Sequence, residues 1–271
     1  MPLRPNEILI DDANWKFHIS PVVDGEQKMH GLVPRDWSRI PCGSIAGVPQ
    51  AAIPKIPRSE WSARIKEMTE KKALLSDVRN IGNNGQRIPS RDQKGKGYCW
   101  AHSTVGAALL ARAKDNQPYA DLSAYAIACI IKGYRDEGGW NGESMKFLRE
   151  RGCPTSEFWP QQSMNRSNDK PETWVNAALH KNTEWEDVPD RDFDMLFTYL
   201  LLGCPCPLDL NWWRHSICAA DPVEVEAGHY GVRIWNSWGD SWSDNGMGVL
   251  TETKAIPDGA MALRVMTASI T

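Results

Sequence analysis

Cys99 stands where a polar, glycine-containing stretch gives way to an apolar helical pattern. Residues 92–97, which precede it, are typical of an exposed loop. After it, Ala101, Val105 and Ala108 have the spacing of one buried helix face. A thiol at a helix N-terminus lies near unpaired N–H groups and the positive end of the helix dipole, which favour the thiolate and lower the pKa of the thiol. The pattern therefore predicts a nucleophilic cysteine.

A packed, unreactive thiol is the alternative interpretation, because cysteine is among the most buried residue types. Three further residues favour chemistry. Gln93 precedes Cys99 by six positions, His215 follows a Trp-Trp-Arg stretch, and Asn236 begins the sequence Asn-Ser-Trp-Gly. A thiol nucleophile needs a base and a third group that orients the base. We therefore expect Cys99, His215 and Asn236 to form a catalytic triad.

The surrounding motifs resemble those of the papain superfamily of cysteine peptidases. In that family a Gln precedes the nucleophilic Cys, a Trp follows it, a Gly-Gly pair binds substrate, and Asn-Ser-Trp-Gly supplies the Asn of the triad. The matching positions of this chain, in the same order, are Gln93, Cys99, Trp100, Leu122-Ser123, Gly138-Gly139, Trp159-Pro160, residues 236–239, Trp242 and Asn245-Gly246. The resemblance covers about residues 75–252 and implies a papain-like fold.

The resemblance also implies how the substrate is held. Gln93 and the backbone N–H of Cys99 would form the oxyanion hole, where each donor is worth roughly 3–4 kcal/mol in comparable enzymes. Gly138 and Gly139 would bind the substrate backbone, since glycine permits its close approach. Trp242 would line the leaving-group side. The substrate would be a protein or a peptide.

The implied reaction is hydrolysis of a peptide bond through an acyl-enzyme. The Cys99 thiolate attacks the carbonyl carbon, and His215 protonates the leaving amine and then activates water. Asn236 orients the imidazole. Trp100 and Trp238 would act without touching substrate, the latter by shielding the bond between His215 and Asn236 from water. No metal or organic cofactor is required, and the Cys-Pro-Cys sequence at residues 204–206 has no second pair nearby that would complete a zinc site.

The chain departs from the family at several positions. Lys96 and Asp136 replace two cysteines that usually form a disulfide, which predicts an ion pair in its place. Tyr98 replaces a small residue and His102 replaces a Phe; we expect His102 to lie in the core rather than across the cleft. The stretch before His215 is short, so the substrate pockets are expected to differ from those of plant or lysosomal members.

Composition and length favour a globular protein in a reducing compartment. The 271 residues have a net charge of −3 and a pI near 6.1, which gives no indication of a nucleic-acid or anionic-membrane partner. Residues 1–7 lack the apolar core of a signal peptide, and no apolar run approaches the roughly 20 residues of a membrane span. Seven cysteines without repeated spacing fit a cytoplasmic location.

Helical patterns come first in the chain and strand patterns later, which predicts an α+β fold with two lobes, one helical and one an antiparallel β lobe. We expect an N-terminal arm over residues 1–74 and a peptidase domain over residues 75–271, with its helical lobe at about 75–165 and its β lobe at about 166–271. The predicted helices are 59–68, 99–114, 122–131, 143–151, 172–180 and 192–202, and the predicted strands are 207–210, 216–220, 230–235 and 247–251.

The arm is rich in proline, so it should be extended, apart from the helix at 59–68 that Ser59 would cap. Apolar stretches at residues 8–10, 22–23 and 45–46 indicate that it lies on a surface. Three roles remain open: an inhibitory segment, a docking arm for a larger assembly, or a brace for the fold. Some bacteriophage-encoded members of the superfamily resemble this chain, so the alternative to a peptidase is an assembly component, for example of a virion.

Overall fold

The computed structural model describes residues 3–36 and 51–267. Over these residues the chain forms α-helices and strands whose helical part largely precedes the sheet, as the sequence predicts. The helices are α1 (Arg58–Glu70), α2 (Leu75–Ile81), α3 (Cys99–Lys114), α4 (Ala124–Ile131), α5 (Asn141–Glu150), α6 (Pro171–Ala177) and α7 (Phe193–Leu201). The strands are β1 (Leu9–Ile10), β2 (Val22–Val23), β3 (Glu26–Gln27), β4 (Asn182–Val188), β5 (Cys206–Leu210), β6 (His215–Glu226), β7 (His229–Trp235), β8 (Met247–Thr251) and β9 (Gly259–Met266).

One large sheet organises the second half of the chain. Its order is β1-β8-β7-β6-β5-β9-β4, and the neighbouring strands are antiparallel except for β1, which pairs in parallel with β8. Residues 215–223 of β6 are all buried because helices cover this central strand. The sheet and the helices together confirm the predicted α+β fold.

Helix α3 packs across this sheet and carries the predicted nucleophile at its first turn. Every residue from Cys99 to Arg112 is buried, with α4 and α5 on one side and β5, β6 and β9 on the other. Its alanine-rich sequence combines high helix propensity with small side chains, which allows this close packing. The helix ends before Asn116, which has a φ of 53°, and Pro118.

Two hydrophobic clusters form the core of the described residues. One contains Cys99 and Trp100 and fills the space around α3, α4 and α5. The other contains Trp61, Phe197 and Trp238 and lies between the sheet and helices α1 and α7. Cys99 and Trp238 therefore belong to different clusters. The lobe limits at residues 74 and 165 remain predictions.

The beginning of the arm is built into the body of the protein. Strand β1 extends the large sheet, and the Glu7 carboxylate binds the Arg233 guanidinium at 2.5 Å, with Asp221 as a second partner of that guanidinium at 3.3 Å. These side chains are fully buried. Helix α1 packs nearby, with the rings of Trp61 and Phe197 stacked at a centroid distance of 4.0 Å.

The N-terminus of α1 differs from the one that the sequence predicts. Helix α1 begins at Arg58, and its N-cap is Pro57, so the prediction that Ser59 caps it was wrong. Ser59 falls in the first turn because Pro57 already holds the φ of −58° and the extended ψ that precede a helix. The apolar stretch at residues 45–46 lies outside the described residues. Among those described, no helix is long and apolar enough to cross a bilayer.

Candidate active site

Cys99 is the first residue of α3, and its side chain is completely buried. The backbone N–H of Ser216 donates to its Sγ atom at 3.4 Å. Burial raises the pKa of the Cys99 thiol to about 12, although the Ser216 N–H acts in the opposite direction. The thiol is therefore neutral in this structure. The sequence predicts a lowered pKa from the helix N-terminus, but the loss of solvent outweighs that effect.

His215 begins β6, one residue before the Ser216 amide that binds the thiol. Its Nε2 atom lies 2.8 Å from Oδ1 of Asn236, which follows directly after β7. The opposite ring nitrogen, Nδ1, is buried and has no hydrogen-bond partner within the described residues. Burial lowers the pKa of His215 well below its usual range, so the imidazole is neutral here. An imidazole held through one nitrogen keeps the other available for a proton from a neighbouring thiol.

Tryptophan rings enclose this histidine. The Trp238 ring stacks on the imidazole at a centroid distance of 4.5 Å and an angle of 26°. Trp213 meets it edge-on at 5.2 Å, and Trp242 packs edge-on against Trp238 at 5.8 Å. His215 is fully buried and Asn236 is 3% exposed, and the shielding of their hydrogen bond by Trp238 stays a prediction. Trp242 is itself buried, and its assignment to the leaving-group side stays a prediction.

Gln93 is fixed by hydrogen bonds at three of its atoms. Its Oε1 atom accepts from the Ser237 hydroxyl at 2.6 Å, and its backbone carbonyl accepts from the Tyr125 hydroxyl at 2.7 Å. Its Nε2 atom donates to the carbonyl oxygens of Lys96 at 2.6 Å and Met29 at 3.0 Å. Because Oε1 is held by a donor, the orientation of the amide is defined, and Nε2 faces the cleft.

Gly139 lies against the ring of Trp100. A Cβ atom at position 139 would lie 2.8 Å from that ring, so only glycine fits. Trp100 is held in turn by its Nε1 atom, which donates to the Gly97 carbonyl at 3.0 Å. The N–H and the carbonyl of Gly139 both face the arm: they bond to Gly31 at 2.9 Å and to Val33 at 3.3 Å. Residues 138–139 thus present an edge to an extended chain, which is what substrate binding by a Gly-Gly pair requires.

The occupant of this edge is a part of the arm, residues 28–35, here called the cleft segment. Backbone groups of this segment form hydrogen bonds along the whole site. The Met29 carbonyl accepts from the Gln93 side chain, Gly31 and Val33 bind Gly139, and the Leu32 N–H donates to the Arg214 carbonyl at 3.1 Å. Gly31 passes over the candidate nucleophile; a Cβ atom on it would lie 2.0 Å from the Gly97 carbonyl oxygen. An inhibitory role of the arm was one of the three roles left open, but no motif indicated which of its residues would enter the cleft.

His30 packs directly on the candidate base. Its ring meets that of His215 edge-on at 5.3 Å and that of Trp238 at 5.7 Å. Both of its ring nitrogens are buried. Burial lowers the pKa of His30 and the positive charge of Arg214 acts in the same direction, whereas a backbone hydrogen bond at Ile19 acts against them. The segment therefore places a second neutral imidazole beside the first.

The positions where the chain departs from the family behave as the sequence predicts. Lys96 and Asp136 form an ion pair at 3.3 Å, and the Asp136 carboxylate also accepts from the Gly97 N–H at 2.8 Å. His102 lies in the core with its ring edge against Tyr125, and burial lowers its pKa to about 3.

No group of three or more His, Cys, Asp or Glu side chains suited to a metal ion occurs within residues 3–36 and 51–267.

No family model matches the chain. Its sequence is 24% identical over 207 residues to zingipain-2 of Zingiber officinale, a match that covers 68% of this chain and 91% of that protein. It is 24% identical over 184 residues to chymopapain of Carica papaya, covering 60% of this chain and 51% of that protein. The structure of xylellain, a cysteine protease from Xylella fastidiosa, shares the fold with a TM-score of 0.59 at 18% identity, over 89% of this chain and 96% of that one.

Proposed function

We propose that this chain, a cysteine endopeptidase of the papain superfamily, hydrolyses peptide bonds with Cys99 as nucleophile, His215 as base, Asn236 as orienting group and Gln93 as oxyanion-hole donor. The observation that carries the proposal is the hydrogen bond of 2.8 Å between His215 and Asn236. The residue after His215 on the same strand, Ser216, donates its backbone N–H to the Cys99 sulfur. Four residue types that acyl transfer requires thus lie around one cleft.

The reaction begins once the cleft segment has moved out. Water then reaches Cys99 and His215, the desolvation that keeps both neutral is relieved, and the proton passes from sulfur to the free Nδ1 atom of His215. The thiolate attacks the peptide carbonyl carbon. The oxyanion takes the place that the Met29 carbonyl holds, where Gln93 Nε2 donates to it, with the Cys99 N–H as second donor.

Collapse of the tetrahedral intermediate transfers a proton from His215 to the leaving amine. The acyl-enzyme remains as a thioester on Cys99 until His215 removes a proton from water, which attacks the same carbonyl. The C–S bond then breaks, the carboxylic acid leaves, and the Cys99 thiolate and His215 imidazolium are restored. Asn236 holds the imidazole in plane through both steps, and Trp238 keeps water from that bond. Each proton leaves and returns through Nδ1.

In this proposal the described structure is the closed form of the enzyme, with the cleft segment as an inhibitor. The segment bonds Gln93 and Gly139, so neither can bind a substrate. Toward the Cys99 sulfur it presents the Gly31 N–H, a donor, rather than a carbonyl carbon. It therefore blocks the site without being a substrate itself. The first ten residues act differently, since Glu7 and β1 brace the sheet.

The alternative, an assembly role with residues 1–74 docked on a partner, has the weaker support. The described part of the arm contacts its own chain through Glu7, the cleft segment and Trp61, which leaves less of it for a partner. A bacteriophage origin and a virion location rest on sequence resemblance alone.

The test is hydrolysis of denatured casein by the full-length Gly31→Ala variant, in which the clash with Gly97 opens the cleft. We expect cleavage that disappears in Gly31→Ala/Cys99→Ser, with the fragments identified by mass spectrometry. Gly31→Ala/Cys218→Ser, which alters another buried thiol in the same opened background, is the matched control and should retain the activity. Equal fragment patterns with and without Cys99 would refute the proposal.

A further inference from the structure

The cleft segment ends in a pocket of carboxylates. The guanidinium of Arg35 is buried there, with 5% of the side chain exposed and Nη1 at 3.1 Å from Oδ1 of Asp190. Its other side lies flat on the backbone at Gly259, where a Cβ atom would come within 2.8 Å of Nη2. Such a fit resembles a binding pocket more than a surface ion pair, which leaves long side chains largely in solvent.

Asn211, in the wall of this pocket, also binds the backbone of Arg35. The side-chain amide of Asn211 accepts from the Arg35 N–H at 2.9 Å and donates to the Arg35 carbonyl at 3.0 Å. These two bonds pair Asn211 with both backbone groups of one residue, as a neighbouring strand would, and they do not depend on the side chain at that position. Asn211 is itself fixed, because its backbone N–H donates to Asp258 at 2.6 Å.

The acidic pocket, defined as Asp190, Asp209 and Asp258, is built to face a cation. Asp209 is 2% exposed, and one of its carboxylate oxygens is buried without a hydrogen-bond partner among the described residues. Burial raises the pKa of Asp209 to about 7, while the positive charge of Arg35 acts to lower it. Asp258 has a further partner in Arg191 at 2.8 Å, but that side chain is 56% exposed.

Opening of the cleft removes Arg35 from its ion-pair partner Asp190 and takes its positive charge away from Asp209, whereas Asp258 keeps Arg191. A buried carboxylate that loses its cation is strongly destabilised. A substrate with a neutral side chain in the acidic pocket would leave the buried carboxylate destabilised. A guanidinium or ammonium group would stabilise it through charge-assisted hydrogen bonds. The pocket therefore distinguishes substrates by charge.

We propose that the acidic pocket is the specificity site of the enzyme and takes an arginine or lysine side chain of the substrate, with Asn211 holding the backbone of that residue. The inference rests on the proposed peptidase function and adds its substrate class. Arg35 occupies the site in the closed form. The Asn141 N–H, two residues after Gly139, donates to the Asp209 carboxylate at 3.3 Å, so the pocket lies next to the Gly-Gly pair and the basic residue belongs to the acyl part of the substrate.

Chain length limits the position of that residue. Arg35 follows Gly31, which covers the thiol, by four positions. At about 3.3 Å per extended residue the pocket lies about 13 Å along the chain from the reacting bond. The basic side chain therefore occupies one of the first four positions before the scissile bond.

The experiment uses full-length Gly31→Ala/Arg35→Ala, in which cleft and pocket are both vacated. Internally quenched peptides carry one arginine at each of these four positions in turn, with citrulline, its neutral isostere, as the matched peptide. We expect one position at which kcat/KM for arginine exceeds that for citrulline at least tenfold. Asp190→Asn should reduce this ratio to below threefold, and Asp115→Asn, an exposed carboxylate at the far end of α3, should not.

The ratio is measured within one protein, so partial misfolding of a variant does not affect it. Cleavage with ratios near one at all four positions would overturn the acidic pocket while leaving the peptidase function intact. If no peptide is cleaved, binding decides: labelled arginine and citrulline peptides are titrated against Gly31→Ala/Arg35→Ala/Cys99→Ala by fluorescence anisotropy. A tenfold preference for arginine there would support the pocket and count against the peptidase, and equal binding would overturn the pocket.

Discussion

The side-chain amide of Gln93 donates a hydrogen bond to the Met29 carbonyl oxygen over 3.0 Å. This one contact links the candidate oxyanion hole with the arm of the same chain. The donor that a transition state would use is engaged, in the closed form, by a carbonyl that no nucleophile attacks. Closure of the cleft and catalysis therefore compete for the same donor atom of Gln93.

Gln93→Glu should lower kcat by about 10²–10³ in the Gly31→Ala background, because the substitution removes an N–H donor that faces the oxyanion and leaves a negative charge there. KM should change little, since the substrate ground state does not carry that charge. Steady-state hydrolysis of a quenched peptide measures both. Gln162→Glu, at an exposed amide, serves as control. A kcat within threefold of the parent would remove Gln93 from the mechanism.

Acidification should open the cleft through His30. Burial holds the pKa of His30 below its ordinary value of 6.5, so the closed form binds fewer protons than the open form. Closure is then fully stable above about pH 6.5 and weakens as pH falls through that value. The Cys99 alkylation rate of the wild type, divided by that of Gly31→Ala, should rise between pH 7 and pH 5.

His30→Phe keeps the ring packing on His215 and Trp238 but cannot take up a proton. It should flatten that rise, leaving only the contribution of His215, whose pKa burial also lowers. His229→Phe, on the exposed start of β7, should behave as the wild type. The same slope in all three proteins would exclude His30 as the pH-sensitive group.

Glu7→Ala should destabilise the whole protein without activating it. The change leaves the fully buried Arg233 with Asp221 alone, and breaking a buried pair of this kind costs about 3–5 kcal/mol. Urea denaturation followed by tryptophan fluorescence measures the loss. Glu70→Ala, at an exposed pair on α1, should cost below about 1 kcal/mol. Activation by Glu7→Ala without loss of stability would mean that the first residues inhibit rather than brace.

A synthetic peptide of residues 28–36 should inhibit the Gly31→Ala variant when added in trans. It carries the backbone groups that bond Gln93 and Gly139 and the Arg35 side chain. The same peptide with alanine at position 31 should inhibit at least tenfold more weakly, because its methyl group meets the Gly97 carbonyl. Equal inhibition constants for the two peptides would show that they bind elsewhere.

The sequence predicts local structure well where one pattern dominates. Helix α3 begins at Cys99 and ends at Lys114 as expected, because its small apolar residues and the Asn-Gln-Pro stop are local signals. Strands β4 and β9 were missed. In β4 the buried residues include Glu186 and Asp187, whose charges hide the strand pattern, and only pairing with β9 explains their burial.

The family and the fold follow from short motifs, and the relatives and the structure confirm them. The cleft segment could not be foreseen, because its position depends on backbone bonds to residues more than 60 positions away and on the close approach of Gly31 to Gly97. Burial also reverses the expected pKa shift of Cys99, because it outweighs the N–H groups of Ser216 and Gly31, which act to lower that pKa.

The most direct test of the account is the alkylation rate of Cys99 from pH 4 to pH 9, read by peptide mass spectrometry in the wild type, Gly31→Ala and Gly31→Ala/His215→Ala. We expect slow labelling in the wild type. In Gly31→Ala, Cys99 should react fast and selectively, well below the pKa of about 8.5 of a free thiol, and this reactivity should disappear without His215. Labelling of Cys99 in Gly31→Ala no faster than that of the other cysteines would contradict both the nucleophile and the closed cleft.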